Sequence, residues 1–396
     1  IGSPGSKFGH LKNHTSLTVF DVRGNMITGK IPSIAGLRSL EGVYVNDNGF
    51  TSIDAGFFTG LRSLQYVNLG NNPLRPWEIP ISLTDATSLQ VFSAVNCSLS
   101  GEFPDLQWDR MFPLLTVLEL SDNGLFGVLP RSFCGSRVQI LKLDGQKLNG
   151  PISVLQNMTG LTEVLLQGNG FSGPLPDLSG LSLLKVFNVS ENQLTGIVPY
   201  SFTQLSSLSH VALGNNLLQG PTPKFKTAKA DMTGLNSFCL DTPGTPCDPR
   251  VSALLSIVES FGGFPAAYAQ SWKGNDPCDS KRMGMWLGIT CQGSVVVELT
   301  QLTELITLDV SENPQLYGTV SGFRPKVVIK FGDPYLETHA SSPRNNNAGK
   351  IVGSVTGAVV GSLLIGSVVY FFVKKKKMHP QQHSGDKDAL KITIGN

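Results

Sequence analysis

Cysteines are the residues of this chain whose chemistry depends most on spacing. Four of the six lie between residues 239 and 291, where they could form disulfides or hold a metal ion. No Cys-x-x-Cys pair and no paired histidine accompanies them, which argues against a zinc site. Four cysteines allow three pairings, and nearest-neighbour pairing joins Cys239 to Cys247 and Cys278 to Cys291. Of the other two, Cys97 is expected to be a buried thiol and Cys134 a free or weakly packed one.

The side chains that could support catalysis are scattered. None of the six histidines has a catalytic or metal-binding spacing with serine, cysteine or glutamate. The sequence contains no glycine-rich phosphate loop, no set of protein-kinase motifs and no paired acidic motif. We therefore predict no catalytic residue, no metal site and no cofactor, and we look for function in a binding surface instead.

The elements that position such a surface follow from a repeat of twenty-odd residues, seen most clearly in LTEVLLQGNGFSGPLP from Leu161 to Pro176. In a short strand, Val164 and Leu166 point to the same side and are expected to face the interior. Asn169 then turns the chain, and its amide can bond to backbone groups of the turn and of neighbouring coils. This spacing is typical of leucine-rich repeats. It predicts an α/β solenoid, a leucine-rich-repeat horseshoe whose Gly-x-φ-Pro endings resemble the plant-specific type.

About nine such coils can be counted in a first block, residues 1–223. Two coils depart from the pattern, because Cys97 and Gln146 take the asparagine position. Nothing ahead of Leu17 supplies a polar or disulfide-bonded cap, which the end of a solenoid normally needs. The N-terminal cap is therefore expected to be missing.

The surface predicted to bind is the concave face, which is formed by the strand residues that alternate with the inward ones. Its central column is predicted to be Asp21, Tyr44, Asn68, Ser93, Glu119, Lys142, Leu165, Asn188 and Ala212, with Arg23, Tyr66, Val91, Ile140, Asp144 and His210 beside it. Aromatic and apolar groups often anchor interfaces, whereas a merely solvated face is the competing interpretation. As candidate ligand- or partner-binding residues we take Tyr44, Tyr66, Val91, Glu119, Ile140, Lys142, Asp144 and Leu165.

Composition and sequons point to a secreted or cell-surface class of protein. The net charge is +2 and charged residues are only 15%, which gives no argument for nucleic-acid binding. N-glycosylation sequons begin at Asn13, Asn96, Asn157 and Asn188, and a glycan at Asn188 would obstruct the concave face. The chain opens at Ile1 with neither a start methionine nor a signal peptide, so we expect a fragment or an incomplete gene model.

The repeat pattern is lost in an island, residues 224–292, that contains the four clustered cysteines. An apolar run, Val251 to Phe261, has helical spacing, and Asp248-Pro249 ahead of it suits a helix N-terminus. The island, with Trp272 and Trp286 around Cys278, resembles the capping module that begins plant leucine-rich-repeat ectodomains. It implies a second repeat block with its own cap, residues 293–323, in which only one full repeat is recognisable, and then a linker, 324–350.

Residues 351–373 carry no charge and four lysines, 374–377, follow at once. As a helix these residues would extend for about 34 Å, enough to cross a bilayer core of roughly 30 Å. Lysines mark the cytoplasmic side, so a single-pass topology with the repeats outside and a basic segment, 374–396, inside is predicted. A GxxxG-like stripe at Gly353, Gly357 and Gly361 could pair two such helices, although simple tolerance of glycine explains it equally well.

Taken together, the chain resembles the ectodomain, membrane span and juxtamembrane start of the plant transmembrane kinase (TMK) group of leucine-rich-repeat receptor-like kinases. The stretches that carry the resemblance are SIAGLRSL at 33–40, GQKL at 145–148, the island segment 278–291 and LDVSENPQLYGTVSGF at 308–323. Short matches at 379–385 and 391–393 continue it past the lysines.

The resemblance implies a plasma-membrane receptor with a cytoplasmic Ser/Thr kinase, linked to auxin signalling and growth. An apoplastic auxin-binding protein is an implied partner, and a peptide ligand, a co-receptor or a second copy of the chain are further ones. The sequence ends at Asn396 before any kinase motif. The alternative function is therefore a kinase-less decoy or co-receptor that binds partners without signalling itself.

Overall fold

The structure, a computed structural model, describes residues 11, 14–260, 266–278, 286 and 289–290, together with short strands between 305 and 394. These residues form two compact units. The first comprises the repeats up to residue 236, apart from 195–197 and 218–222, which group with the second unit.

A parallel sheet of ten three-residue strands runs through the first unit, with strands adjacent in the sheet in the order of the chain. Its strands are Val19–Asp21, Gly42–Tyr44, Tyr66–Asn68, Val91–Ser93, Val117–Glu119, Ile140–Lys142, Glu163–Leu165, Val186–Asn188, His210–Ala212 and Lys229–Asp231. The middle residue is buried in the first nine strands, as Leu141, Val164 and Phe187 illustrate with no exposed surface, whereas Ala230 in the tenth is exposed. Because these nine strands bury one side only, most of their first and third residues are at least partly exposed, as the period-two pattern predicts.

A second set of strands lies in the other half of each coil, at the Gly-x-φ-Pro segments. These strands are Ser100–Glu102, Gly124–Val128, Lys147–Gly150, Gly170–Pro174, Gln193–Ile197 and Leu217–Gly220, with the pair Thr28–Lys30 and Gly49–Ser52 in the first two coils. The remaining elements of the repeats are the 3-10 turns Ile81–Asp85, Arg131–Phe133 and Ser153–Asn157 and the short α-helices Trp108–Met111 and Tyr200–Thr203. The predicted α/β solenoid is therefore mostly β in this unit, since these turns are too tight for long helices.

A ladder of asparagines joins one coil to the next. The side-chain amide of Asn192 donates to the carbonyls of Leu166 in the preceding coil (2.9 Å) and of Val189 and Ser190 in its own. Its oxygen accepts a hydrogen bond from the amide of Phe171, again in the preceding coil. Asparagine suits this position because its short amide presents donors and an acceptor at once. These bonds pair the buried N–H of Phe171 and add a second hydrogen bond to each of the three carbonyls.

Gln146 holds the same place in the sixth coil. Its Oε1 accepts a hydrogen bond from the amide of Leu125 at 3.0 Å, and its Nε2 donates to the carbonyl of Leu120. The longer side chain therefore supplies the same two links to the preceding coil. The ladder is therefore continuous at this coil, although the sequence departs from the repeat pattern.

The residue before each ladder position adopts a left-handed backbone conformation. It is a glycine at Gly145 and Gly168, with φ of +64° and +67°, and a glutamate at Glu191, with φ of +55°. Glycine reaches this region without steric cost, whereas a residue with a Cβ pays about 1–2 kcal/mol.

Replacing Glu191 with glycine is expected to stabilise the protein by about 1 kcal/mol, because the side chain is exposed and its left-handed backbone is costly. Urea unfolding measures the gain. Lys185→Gly is the matched control: it removes another exposed charged residue, at ordinary φ, and should cost about 0.5–1 kcal/mol. A loss of stability in Glu191→Gly would contradict the strain argument.

The tenth strand extends the repeats beyond the predicted boundary at residue 223. Lys229–Asp231 pairs in register with His210–Ala212. Asn236 donates to the carbonyl of Leu213 at 2.9 Å, as a ladder residue does. The prediction of about nine coils missed this one because Ala230 and Met232 replace the usual large aliphatic residues and the asparagine comes one residue late.

The second unit contains the island. Cys239 and Cys247 form a disulfide with a Cα–Cα distance of 5.7 Å, and Cys278 is also disulfide-bonded. Cys291 lies outside the described residues, so the pairing of Cys278 with Cys291 stays a prediction. The helices are Pro249–Ser260 and Ala266–Ser271, and the strands are Ser237–Phe238, Ile289–Thr290, Leu305–Asp309, Gly318–Val320, Val328–Lys330, Val369–Phe371 and Lys391–Ile394.

The predicted start of the island helix is confirmed. The carboxylate of Asp248 accepts a hydrogen bond from the amide of Arg250 at 2.9 Å, and Pro249 is the first helical residue. The side-chain hydrogen bond from Arg250 is the main cause that lowers the pKa of Asp248. The rings of Trp272 and Trp286 stack with centroids 5.1 Å apart.

Most of the second repeat block, the linker and the predicted membrane segment lie outside the described residues. Within 351–373 the structure describes only Val369–Phe371, a strand antiparallel to Gly318–Val320. The helix predicted from the sequence is therefore not confirmed at these three residues. Among the described residues, no helix combines the length and apolar character needed to cross a bilayer.

Candidate binding face

The ten-stranded sheet lines up the predicted central column in strict register. Neighbouring positions pair in the order of the coils, as Glu119 with Lys142 and Lys142 with Leu165 show. We call the solvent-facing first and third residues of the ten strands, with the two turn residues before each ladder position, the strand face. All eight candidate binding residues lie on it: Tyr44, Tyr66, Val91, Glu119, Ile140, Lys142, Asp144 and Leu165.

One member of the predicted column does not face solvent. Ser93 is only 6% exposed, although it takes the same strand position as Asn68 and Glu119. Its register partners on the adjoining strands, Asn68 and Glu119, both have longer side chains. Ser93 is therefore removed from the predicted binding surface.

Lys142 is held between two carboxylates on the adjoining strands. Its Nζ lies 3.1 Å from an oxygen of Glu119 and 3.5 Å from one of Glu163, and all three side chains are about three-quarters buried. Partial burial lowers the pKa of Lys142, but the hydrogen bonds and negative charges of the two glutamates outweigh it and leave the pKa above its usual value. The lysine is charged at any physiological pH and is already neutralised by its neighbours.

The first coils carry an aromatic patch. The guanidinium of Arg23 lies 4.7 Å from the centre of the Tyr44 ring and forms an ion pair with Asp21 at 2.9 Å. Tyr66 donates its hydroxyl hydrogen bond to Gln90 at 3.2 Å. Both side chains are half-buried, so each still offers aromatic surface to solvent.

The residues of the strand face that escaped the sequence analysis include Val117, Glu163 and Val186. Each takes the first position of its strand. Val117 is in register with Val91 and Ile140, and Glu163 with Ile140 and Val186. Val186 is also in register with His210. The same alternation could have identified them, because each lies two residues before the central-column residue of its own strand. Glu163 is the most consequential of them, because it is the second partner of Lys142.

The predicted glycosylation sites differ in accessibility. Asn96 and Asn157 are exposed, whereas Asn188 is half-buried on the strand face and its Oδ1 accepts hydrogen bonds from the amide and hydroxyl of Ser190. Asn13 lies outside the described residues. Glycosylation of any of the four remains a prediction.

The two remaining thiols are both free. Cys97 is fully buried at a ladder position, where its thiol donates to the carbonyl of Ala94 at 3.2 Å. Burial is the main cause that raises the pKa of this thiol to about 12. Such a thiol is unreactive, which fits a packing role. Among the described residues, no group of three histidine, cysteine, aspartate or glutamate side chains could hold a metal ion.

Comparison with known proteins places these features in a family. The model of the family described as Leucine Rich Repeat matches residues 114–136 and 183–205. The receptor-like kinase TMK2 of Arabidopsis thaliana is 52% identical over 443 aligned residues, covering 96% of this chain. The chain belongs to the TMK group of leucine-rich-repeat receptor-like kinases. It spans about half of that relative, 48% of its length.

A second relative of this TMK-group chain is the receptor protein kinase WSS1 of Oryza sativa subsp. japonica, 40% identical over 72% of the chain and 31% of its own length. Among solved structures, the plant peptide hormone receptor RGFR1 in complex with RGF2 is 26% identical, with a TM-score of 0.51 over 58% of this chain and 41% of that one. The alignment with TMK2 is longer than the 396 residues here, so TMK2 has additional residues within the matched region.

Proposed function

We propose that this chain is the extracellular partner-binding part of a single-pass receptor-like kinase and that the strand face is where the partner binds. The observation that carries the proposal is the register of the sheet. Ten parallel strands fix the solvent-facing side chains at intervals of about 4.8 Å, so groups far apart in sequence form one continuous surface. Aromatic, apolar and charged side chains are combined there, as in protein interfaces.

The relatives support the receptor class. TMK2 and WSS1 are both named as receptor kinases, and RGFR1 is a peptide hormone receptor in complex with RGF2. The ligand proposed here is accordingly an apoplastic protein or peptide. Within that class we propose auxin-related growth signalling at the plasma membrane, with an apoplastic auxin-binding protein as one partner and a co-receptor or second copy as another.

The membrane topology is part of the proposal. Residues 351–373 would span the bilayer, with the lysines at 374–377 on the cytoplasmic side. Protease added to intact cells should then remove the repeats and spare an epitope at the C-terminus. Loss of that epitope with survival of the repeats would contradict the topology.

Replacing Tyr66 with alanine is expected to weaken binding of an apoplastic partner about tenfold, the size typical of an aromatic anchor. The melting temperature should stay nearly unchanged, because the ring is half-buried and carries one side-chain hydrogen bond. A binding screen of the purified protein against apoplastic auxin-binding proteins and peptides supplies the partner.

The control is Phe126→Ala, which removes an aromatic ring that is 48% exposed on a strand of the second set, away from the strand face. It should leave binding unchanged. Normal binding by Tyr66→Ala together with weakened binding by Phe126→Ala would place the contact on the second set of strands and not on the strand face. That result would refute the proposal.

The alternative is a decoy or co-receptor that lacks a kinase. It uses the same strand face and differs only in what the gene encodes after Asn396. Sequencing the full transcript separates the two, because a kinase reading frame downstream of this position supports the receptor and its absence supports the decoy.

A further inference from the structure

The strand face differs in charge from the protein as a whole. Its eight acidic residues outnumber its three basic ones, although the complete chain carries a net charge of +2. The acidic residues are Asp21, Asp47, Glu119, Asp122, Asp144, Glu163, Glu191 and Asp231, and the basic ones are Arg23, Lys142 and Lys229. A surface whose charge opposes that of the chain selects partners of the complementary sign.

Two of the three basic side chains are already paired. Arg23 forms an ion pair with Asp21, and Lys142 lies between Glu119 and Glu163. A negatively charged partner would have to break these pairs before it gained a contact. A positively charged partner can approach the same glutamates from the solvent side, where each is still about one-quarter exposed.

An apolar stripe accompanies the acidic groups. The first strand position is apolar in four coils, with Val91, Val117, Ile140 and Val186. In the strand between those of Ile140 and Val186, the apolar residue is Leu165 at the third position. All five are half-buried, so each still offers apolar surface. From Val91 to Val186 the stripe crosses four strand intervals, or about 19 Å.

We propose that the strand face binds an extended peptide segment in which cationic residues alternate with apolar ones. This inference rests on the proposed function and adds the chemistry of the partner to it. About six residues of extended chain, at about 3.3 Å each, match the length of the stripe. Successive side chains of an extended chain project to opposite sides, so with its backbone edge-on to the face its apolar side chains would cover Val117 and Ile140. Its lysine or arginine side chains, on flexible stems, would reach Glu119, Asp144 and Glu163.

Two acidic residues beside the stripe, Asp144 and Glu163, provide the variants for a test. The carboxylate of Asp144 accepts a hydrogen bond from Ser121 at 2.6 Å, which an asparagine in its place can still accept. Glu163→Gln likewise keeps the size of the side chain. The double variant Asp144→Asn with Glu163→Gln therefore removes two negative charges with little change of shape, and Lys142→Gln removes the positive charge between them.

The experiment compares two capped probe peptides of about eight residues. One alternates lysine and valine, and the other has glutamate in place of each lysine. Binding to the purified full chain is measured by fluorescence anisotropy at low and at physiological salt. We expect the lysine probe to bind, the glutamate probe not to bind, and the affinity to fall as salt rises.

The variants should move the affinity for the lysine probe in opposite directions. Asp144→Asn with Glu163→Gln should weaken it about tenfold, and Lys142→Gln should strengthen it severalfold. The matched control Glu78→Gln removes an exposed carboxylate outside the strand face and should change nothing. Preference for the glutamate probe, or equal effects of all three changes, would overturn the charge assignment.

Failure of this inference can be told apart from failure of the proposed function. If Tyr66→Ala weakens binding of a natural partner while the charge variants do not, the face binds but its partner is not cationic. If the lysine probe binds and only Glu78→Gln weakens it, the probe binds outside the strand face and the charge inference fails, whereas Tyr66→Ala with a natural partner still decides the proposed function.

Discussion

Replacing Asn192 with alanine is expected to lower the free energy of unfolding by about 2–4 kcal/mol, because it breaks four hydrogen bonds to the backbone and leaves the buried N–H of Phe171 without a partner. The amide of Phe171 and the carbonyls of Leu166, Val189 and Ser190 all bond to this one side chain. Asn192 is 8% exposed, so water cannot readily replace those bonds. Urea unfolding followed by circular dichroism measures the loss.

The matched control is the same substitution in the first coil. Asn25 is exposed and donates only to the carbonyls of Val22 and Arg23 in its own coil, so Asn25→Ala should cost less than about 1 kcal/mol. Asn192→Gln should recover part of the loss, because Gln146 already serves as a ladder residue. Equal destabilisation at positions 25 and 192 would show that the ladder does not act through links between coils.

Much of the repeat architecture could be predicted because it depends on local spacing. The inward positions of each strand and the ladder asparagines recur at fixed intervals, so Val164, Leu166 and Asn169 already define the coil. The helix start at Asp248 and Pro249 was predictable for the same reason, since capping involves neighbouring residues.

What the sequence did not reveal depends on contacts between coils. Glu163 and Lys142 are far apart in the chain and become partners only because adjacent strands pair in register. Ser93 is buried although its strand position predicts exposure, and no pattern within its own coil indicates this. The tenth coil escaped because Ala230 is small and breaks the pattern, while the backbone pairing continues.

An aromatic cluster around Trp108 is another feature that depends on contacts between coils. Trp108 begins the short helix Trp108–Met111 and is 1% exposed. Its ring centroid lies 5.0 Å from that of Phe112, 5.4 Å from Phe133 and 5.7 Å from Phe103. Its indole Nε1 donates to the carbonyl of Pro104 at 2.9 Å, which satisfies the polar atom of a buried tryptophan.

Trp108→Ala is expected to cost about 3–5 kcal/mol, the range for deleting a large buried aromatic side chain, because three aromatic neighbours would line the cavity that remains. Trp108→Phe keeps most of the ring and loses the hydrogen bond to Pro104, so it should cost about 1–3 kcal/mol. The difference between the two variants in urea unfolding separates packing from hydrogen bonding.

Leu114→Ala is the control, because this leucine is in the same segment between strands but 45% exposed, and it should cost less than about 0.5 kcal/mol. The cluster lies in the segment that joins strand Val91–Ser93 to strand Val117–Glu119. Loss of Trp108 should therefore loosen the register of the strand face as well, and lysine-probe binding should weaken in Trp108→Ala but not in Leu114→Ala. Equal free energies of unfolding for these two alanine variants would show that the aromatic cluster does not hold this segment in place.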